Sequence, residues 1–150
     1  MQEVTSNMQK YANYTEQMGR LKKAMANGFY LEAIFIEYAV LEDRLESVLR
    51  HSGSWNPKPN EHISIYRKVR LVQKLAEQKK CLASRYYTPE LTDGILVWKE
   101  DRNAVIHMLL KQHLHTEDLL SIAERGQALA KLMCNKTTSY NRALERQTSK

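Results

Sequence analysis

Apolar residues recur at intervals of three and four through almost the whole chain, and very little interrupts them. Between Tyr30 and Arg50 the set Leu31, Ile34, Phe35, Tyr38, Leu41, Leu45, Val48 and Leu49 makes a broad stripe along one side of a 3.6-residue spiral. Nowhere do apolar and polar residues alternate as they would in a half-buried strand. The chain has 150 residues but only five Gly and three Pro, so turns must be few. Such a chain buries its apolar surface by laying long helices side by side. The expected fold is all-α, an antiparallel bundle of four to five long helices. The length suits one domain with its own core. That core is expected to span about residues 5–135, with 136–150 as a polar, basic tail that either frays or extends the last helix.

The helix boundaries follow from local chemistry. A first helix is expected from about Thr5 to Ala26, with Met8, Tyr11, Met18, Leu21 and Met25 inward and Asn27-Gly28 as its stop. The second spans Tyr30 to Arg50. The stretch from His51 to Asn60 breaks it, because Pro57 and Pro59 lack a backbone donor and push their predecessors away from helix. A third runs from Ile63 to Lys80, with Ile63, Tyr66, Val69, Val72, Leu75 and Ala76 inward, and a loop at Ala83–Tyr87 follows. Thr88-Pro89-Glu90 places a cap, a first-turn proline and an acid at the positive end of the dipole. The fourth helix is therefore expected from Pro89 to Lys111, with Leu91, Ile95, Trp98, Val105, Ile106 and Leu109 in the core. Gly94 inside it should cost about 1 kcal/mol relative to Ala and suggests a close helix approach. A fifth helix starts at Thr116-Glu117-Asp118 and turns Leu119, Ile122, Ala123, Leu129, Ala130 and Met133 inward.

Composition narrows the setting. No run of about 18 apolar residues occurs, so no membrane span is expected. Met1-Gln2-Glu3-Val4-Thr5-Ser6 lacks the basic-then-apolar pattern of a signal sequence. Cys81 and Cys134 are isolated thiols, and a reduced cytoplasmic protein is the simplest account. The net charge of +6 permits a polyanionic partner. Arg67, Lys68, Arg70, Lys74, Lys79, Lys80 and Arg85 crowd one region and fit a solvated helix face as well as a nucleic-acid footprint.

The chemistry concentrates in Trp98–His107. Asn103 and His107 lie four apart on one helical face, with Arg102 at its edge. An imidazole that titrates near neutrality beside a fixed cation suits work on a phosphodiester; a solvated Arg with a structural His is the plainer reading. Lys99 and Glu42 are candidate supporting residues. Glu42 and Glu46 lie one turn apart; one of them holds the Arg102 guanidinium, or both are exposed helix charges near Arg44 and Arg50, and Glu37-Tyr38 is similarly ambiguous. Tyr86-Tyr87 after Arg85 fits packing on the bundle better than base stacking. His107, His113, His115, Glu117 and Asp118 have poor metal spacing, so no metal site is expected. No phosphate-cradling Gly-rich loop or nucleophile elbow appears, and no cofactor is expected.

Two segments resemble one family. Arg102-Asn103-Ala104-Val105-Ile106-His107 is similar to the Arg, four to six residues, His motif of the HEPN superfamily of helical domains, including the polar residue after the Arg. Asn27-Gly28-Phe29-Tyr30-Leu31-Glu32-Ala33, followed by Glu42-Asp43-Arg44-Leu45, resembles that family's early helix. The resemblance covers about Gly28 to Met133. It implies a metal-independent endoribonuclease that leaves a 2′,3′-cyclic phosphate, with a composite site formed by two motifs across a homodimer interface. His107 would be the general acid or base, Arg102 would bind the scissile phosphate, and Asn103 would orient the phosphate or His107. RNA would be the substrate. A toxin–antitoxin or defence setting, with a cognate antitoxin or nucleotidyltransferase-type partner, is implied as well. The alternative expectation is a non-catalytic helical module that docks a partner protein or nucleotide. A small DNA-binding regulator would suit the basic charge, but no helix-turn-helix spacing supports it.

Overall fold

The computed structural model describes residues 7–78 and 81–149. Its elements are α1 (Asn7–Asn27), α2 (Tyr30–His51), α3 (Ile65–Glu77), a short 3₁₀ turn (Leu82–Arg85), α4 (Pro89–Met108) and α5 (Thr116–Thr148). No strand occurs among the described residues. The all-α bundle anticipated from the apolar spacing is the observed architecture.

Local signals set most of the ends. Gly28, at φ 76°, turns the chain between α1 and α2, and the Phe29 amide closes back on the Ala24 carbonyl at 2.9 Å. Ser64 caps α3 by accepting from the Arg67 amide at 3.2 Å, which is why that helix begins at Ile65 and leaves buried Ile63 in the preceding loop. Thr88 caps α4 as expected, with Pro89 in the first turn. α4 ends at Met108, short of Lys111, and turns carry the chain on to α5. The expected starts and ends at Thr5 and Lys80, and Lys79 of the basic cluster, lie outside the described residues.

α2 is the centre of the bundle. It packs most extensively on α5 and also meets α1 and α3, while α4 lies on α3 and α5. Leu41, Leu45, Val48 and Leu49 of α2 close on Val69 and Val72 of α3, Ile95 and Trp98 of α4, and Ala123, Ala130 and Met133 of α5. Burial of these side chains is the main stabilising contribution. The Trp98 indole Nε1 donates to the Ile122 carbonyl at 2.9 Å and ties α4 to α5.

Three expectations are corrected. The core does not stop near residue 135: the segment after it extends α5 to Thr148 and buries Thr137 and Tyr140. The spacing Met133, Thr137, Tyr140, Leu144 is helical, and its polar neighbours disguise it. The Tyr87 hydroxyl donates to Thr137 Oγ1 at 3.1 Å, and Tyr86 and Tyr87 pack edge-on against Tyr140. The tyrosine pair is thus packed on the bundle, as expected. α1 buries Leu21 and Ala24 fully and packs Tyr14, Met18 and Met25 on the core, whereas Met8 and Tyr11, expected inward, are exposed because α1 lies at the edge of the bundle. Leu31, Phe35, Tyr66, Ile106 and Leu109, all expected in the core, are exposed.

The glycine of close approach is not Gly94. A Cβ there would meet only Leu129 Cδ2 at 3.6 Å, an ordinary contact. At Gly126 a Cβ would overlap the Glu37 carboxyl and lie 2.7 Å from the Trp98 ring. Gly126 therefore sets how near α5 comes to α2 and α4.

Candidate functional site

Arg102 projects from α4 onto α2. Its guanidinium lies 3.9 Å from the centroid of the Tyr38 ring, and Nη1 donates to Asn103 Oδ1 at 2.9 Å. These contacts fix the plane of the fork. Nε is buried and has no acceptor among the described residues. A buried guanidinium N–H without a partner is uncommon.

Glu42 does not hold this guanidinium. It sits one turn beyond Tyr38 on α2 and pairs with Lys68 of α3 at 3.7 Å. Glu46 pairs instead with Arg50 at 2.8 Å. The Lys68 side chain is only 7% exposed and passes 5.6 Å from the Trp55 ring. Lys99 is also on the seam, with its ammonium 5.1 Å from the Tyr66 ring and 2.8 Å from the exposed Glu100 carboxylate. The Tyr38 phenol is held above its ordinary pKa by burial and by Glu42, against the opposing charges of Arg102 and Lys99. Tyr38, Glu42, Lys99 and Arg102 thus share one electrostatic neighbourhood where α2 passes α4. Lys68 joins it through Glu42.

His107 stands apart. It occupies the last turn of α4, is exposed, and makes no hydrogen bond or ion pair among the described residues. Arg102 and His107 are five residues apart, roughly 140° around the helix, so within one copy their side chains diverge. Asn103 is half-buried and bridges the two positions: it accepts from Arg102, and His107 lies one turn further along its face.

The other end of the same seam is apolar. One turn before Tyr38, Phe35 is 72% exposed; one turn after Arg102, Ile106 is exposed, and Leu109 and Leu110 extend the patch.

Lys68 is a site residue that the sequence pattern places only in the basic cluster, and Tyr38 one that it leaves ambiguous between the apolar stripe and the site. The available signal was the four-residue step from Tyr38 to Glu42, which stacks a phenol and a carboxylate on one face.

Elsewhere, Asp43 accepts from the Tyr14 hydroxyl at 2.6 Å and from Arg44 at 2.7 Å, with Lys10 at 3.3 Å, and this network ties α1 to α2. A groove of about 730 Å³ runs between α1 and α5 past Lys10, Tyr14, Arg44 and Cys134, away from Arg102. Arg67 pairs with Glu61, and Arg70 donates to Gln73, so much of the basic cluster is a solvated helix face. The His113 and His115 rings meet edge-on at 5.2 Å. Among the described residues no three His, Cys, Asp or Glu side chains are grouped to hold a metal ion, and no helix is long and apolar enough to cross a membrane. Comparison with protein-family models, with curated proteins and with solved structures finds no match.

Proposed function

We propose that this chain is a metal-independent endoribonuclease of the HEPN type, acting as a homodimer with a composite site. One observation carries the reading. Arg102 is clamped on Tyr38 and joined to Asn103, with a buried Nε left without an acceptor, on the helix whose last turn bears the exposed His107. The clamped guanidinium suits the non-bridging oxygens of a scissile phosphate. The imidazole of the partner copy would take the proton of the ribose 2′-hydroxyl. The 2′-oxygen then bonds to phosphorus, the bond to the 5′-oxygen breaks, and that oxygen leaves with the proton the imidazolium gives up. The products are a 2′,3′-cyclic phosphate and a 5′-hydroxyl. Two copies are needed because Arg102 and His107 diverge within one. The exposed Phe35, Ile106, Leu109 and Leu110 supply an apolar surface for that pairing. A reducing, cytoplasmic setting fits the two free thiols. A toxin or defence role with a cognate antitoxin belongs to the same reading through the resemblance alone.

Cleavage of a mixed-sequence RNA in EDTA tests it. His107→Ala should lower the rate by about 10²–10⁴-fold, and Arg102→Ala by about 10²–10³-fold. His107→Ala should melt as the wild type does, because the side chain is exposed. A requirement for added Mg²⁺, or wild-type cleavage by His107→Ala, would defeat the mechanism. The second reading, a module that binds a nucleotide or partner without cutting, draws on the absence of any group that orients His107. RNA binding that survives in a protein with no cleavage would favour it.

A further inference from the structure

The seam between α2, α3 and α4 carries more cationic side chains than its carboxylate balances. Lys68, Lys99 and Arg102 all contribute to it, and Glu42 is set among them. Glu100 pairs with Lys99 but has 70% of its side chain in solvent, where its charge is screened. Lys68 reaches Glu42 only at 3.7 Å, longer than a well-formed charge-assisted hydrogen bond. Lys68 is nearly withdrawn from water, at 7% exposure, and an ammonium in that position calls for a closer anion. Arg102 Nε has no acceptor, and the Tyr38 hydroxyl makes no hydrogen bond among the described residues. Arg102 Nε and the Tyr38 hydroxyl are therefore donors without acceptors there, and Lys68 has only a distant one. Tyr66 and Trp55 line it as flat apolar walls beside the two ammonium groups.

We infer that Lys68 and Lys99 form a second phosphate subsite, which grips the phosphate next to the scissile one in single-stranded RNA, and that Glu42 occupies its place in the free protein. The inference rests on the ribonuclease reading for the identity of the polyanion. Lys99 lies three residues before Arg102 on α4, a rise of about 4.5 Å, so the two subsites are neighbours as successive phosphates of one strand are. On binding, Lys68 exchanges the Glu42 carboxylate for phosphate oxygens. Glu42 is then a competitor for the site rather than a mere structural partner, and its removal should strengthen binding.

The test is the binding of a labelled single-stranded oligodeoxynucleotide to the full chain, followed by fluorescence anisotropy at several salt concentrations. This probe lacks the 2′-hydroxyl and cannot be cut by the proposed reaction, so binding is read independently of cleavage. Lys99→Met and Lys68→Met keep the apolar stems and remove the charges. Each should weaken binding about tenfold and reduce the slope of log affinity against log salt by about 0.7. Glu42→Gln should tighten binding severalfold. Removing a 5′-phosphate from the probe should change nothing. The inference is overturned if both lysine variants bind as the wild type does, if Glu42→Gln binds more weakly, or if affinity depends on the terminal phosphate. Should Lys68→Met fail to fold, Lys99→Met and Glu42→Gln still decide it. If the variants shift binding as expected while RNA is never cleaved, the ribonuclease reading fails and the subsite stands. If RNA is cleaved but the lysine variants bind normally, the reverse holds.

Discussion

Glu37 is fully buried between α2, α4 and α5, and neither carboxyl oxygen has a hydrogen-bond partner among the described residues. Desolvation pushes its pKa up to about 9, so the group is neutral at physiological pH. In the unfolded chain it ionises near the ordinary glutamate value, about 4.3. The folded state therefore holds the proton more tightly. The stability that Glu37 permits is complete below about pH 4 and is lost as the pH rises towards about 9. Glu37→Gln keeps the shape and removes the titration. It should match the wild type at pH 4 and be more stable by about 3 kcal/mol at pH 7 in urea unfolding; an equal difference at both pH values would count against the raised pKa. Asp43 shows the opposite balance. Burial opposes its charge, but hydrogen bonds from Tyr14 and Arg44 and the charges of Lys10 and Arg44 outweigh burial and hold its pKa below the usual carboxylate range. Its contribution is present above about pH 4 and fades as acid protonates it. Tyr14→Phe should cost about 1–2 kcal/mol at neutral pH and less near pH 2, where thermal melting can check it.

Helices carry the next level of consequence, and two glycines separate the cases. Gly94→Ala should stabilise α4 by about 0.5–1 kcal/mol, because the new methyl meets only Leu129 at an ordinary distance. Gly126→Ala should destabilise by about 1–3 kcal/mol, because the methyl meets the Trp98 ring at 2.7 Å and the Glu37 carboxyl, in a core that has little room to shift. Parallel denaturant melts of the two variants compare them directly; the same sign for both would refute the packing argument. The pair also shows what the sequence makes legible. A glycine inside a helical pattern is visible at both positions, but which helix crosses which is a tertiary fact. The caps at Ser64 and Thr88 are local chemistry, and Thr88 was readable for that reason. The buried end of α5 was not, because Thr137 and Tyr140 stand among Asn135, Lys136, Thr138 and Ser139, and their spacing matters more than the average polarity. The candidate site was half legible. Arg102, Asn103, Lys99 and Glu42 fall in one neighbourhood, whereas the clamp on Tyr38 and the arrival of Lys68 from α3 depend on packing that no local spacing encodes.

At the scale of the whole molecule the open question is pairing. Light scattering at micromolar concentration should report twice the 17.5 kDa mass of one chain. Phe35→Asp or Leu110→Asp should return it to a monomer without loss of helical circular dichroism, because both side chains are exposed in a single copy, at 72% and 97%. A wild-type protein that stays monomeric would leave the proposed composite site without its second half. The order of the helices has a further consequence for how such a molecule comes into being. α2 finds its largest packing surface on α5, which lies far downstream of it in the chain. A chain made from its N-terminus therefore completes α2 early and supplies the cover for it late. Throughout that interval the apolar face of α2 stays open on the emerging polypeptide, at risk of aggregation and available to chaperones. The site borne on α2 and α4 then acquires its final support only when Thr137 and Tyr140 have been added and have closed on Tyr87.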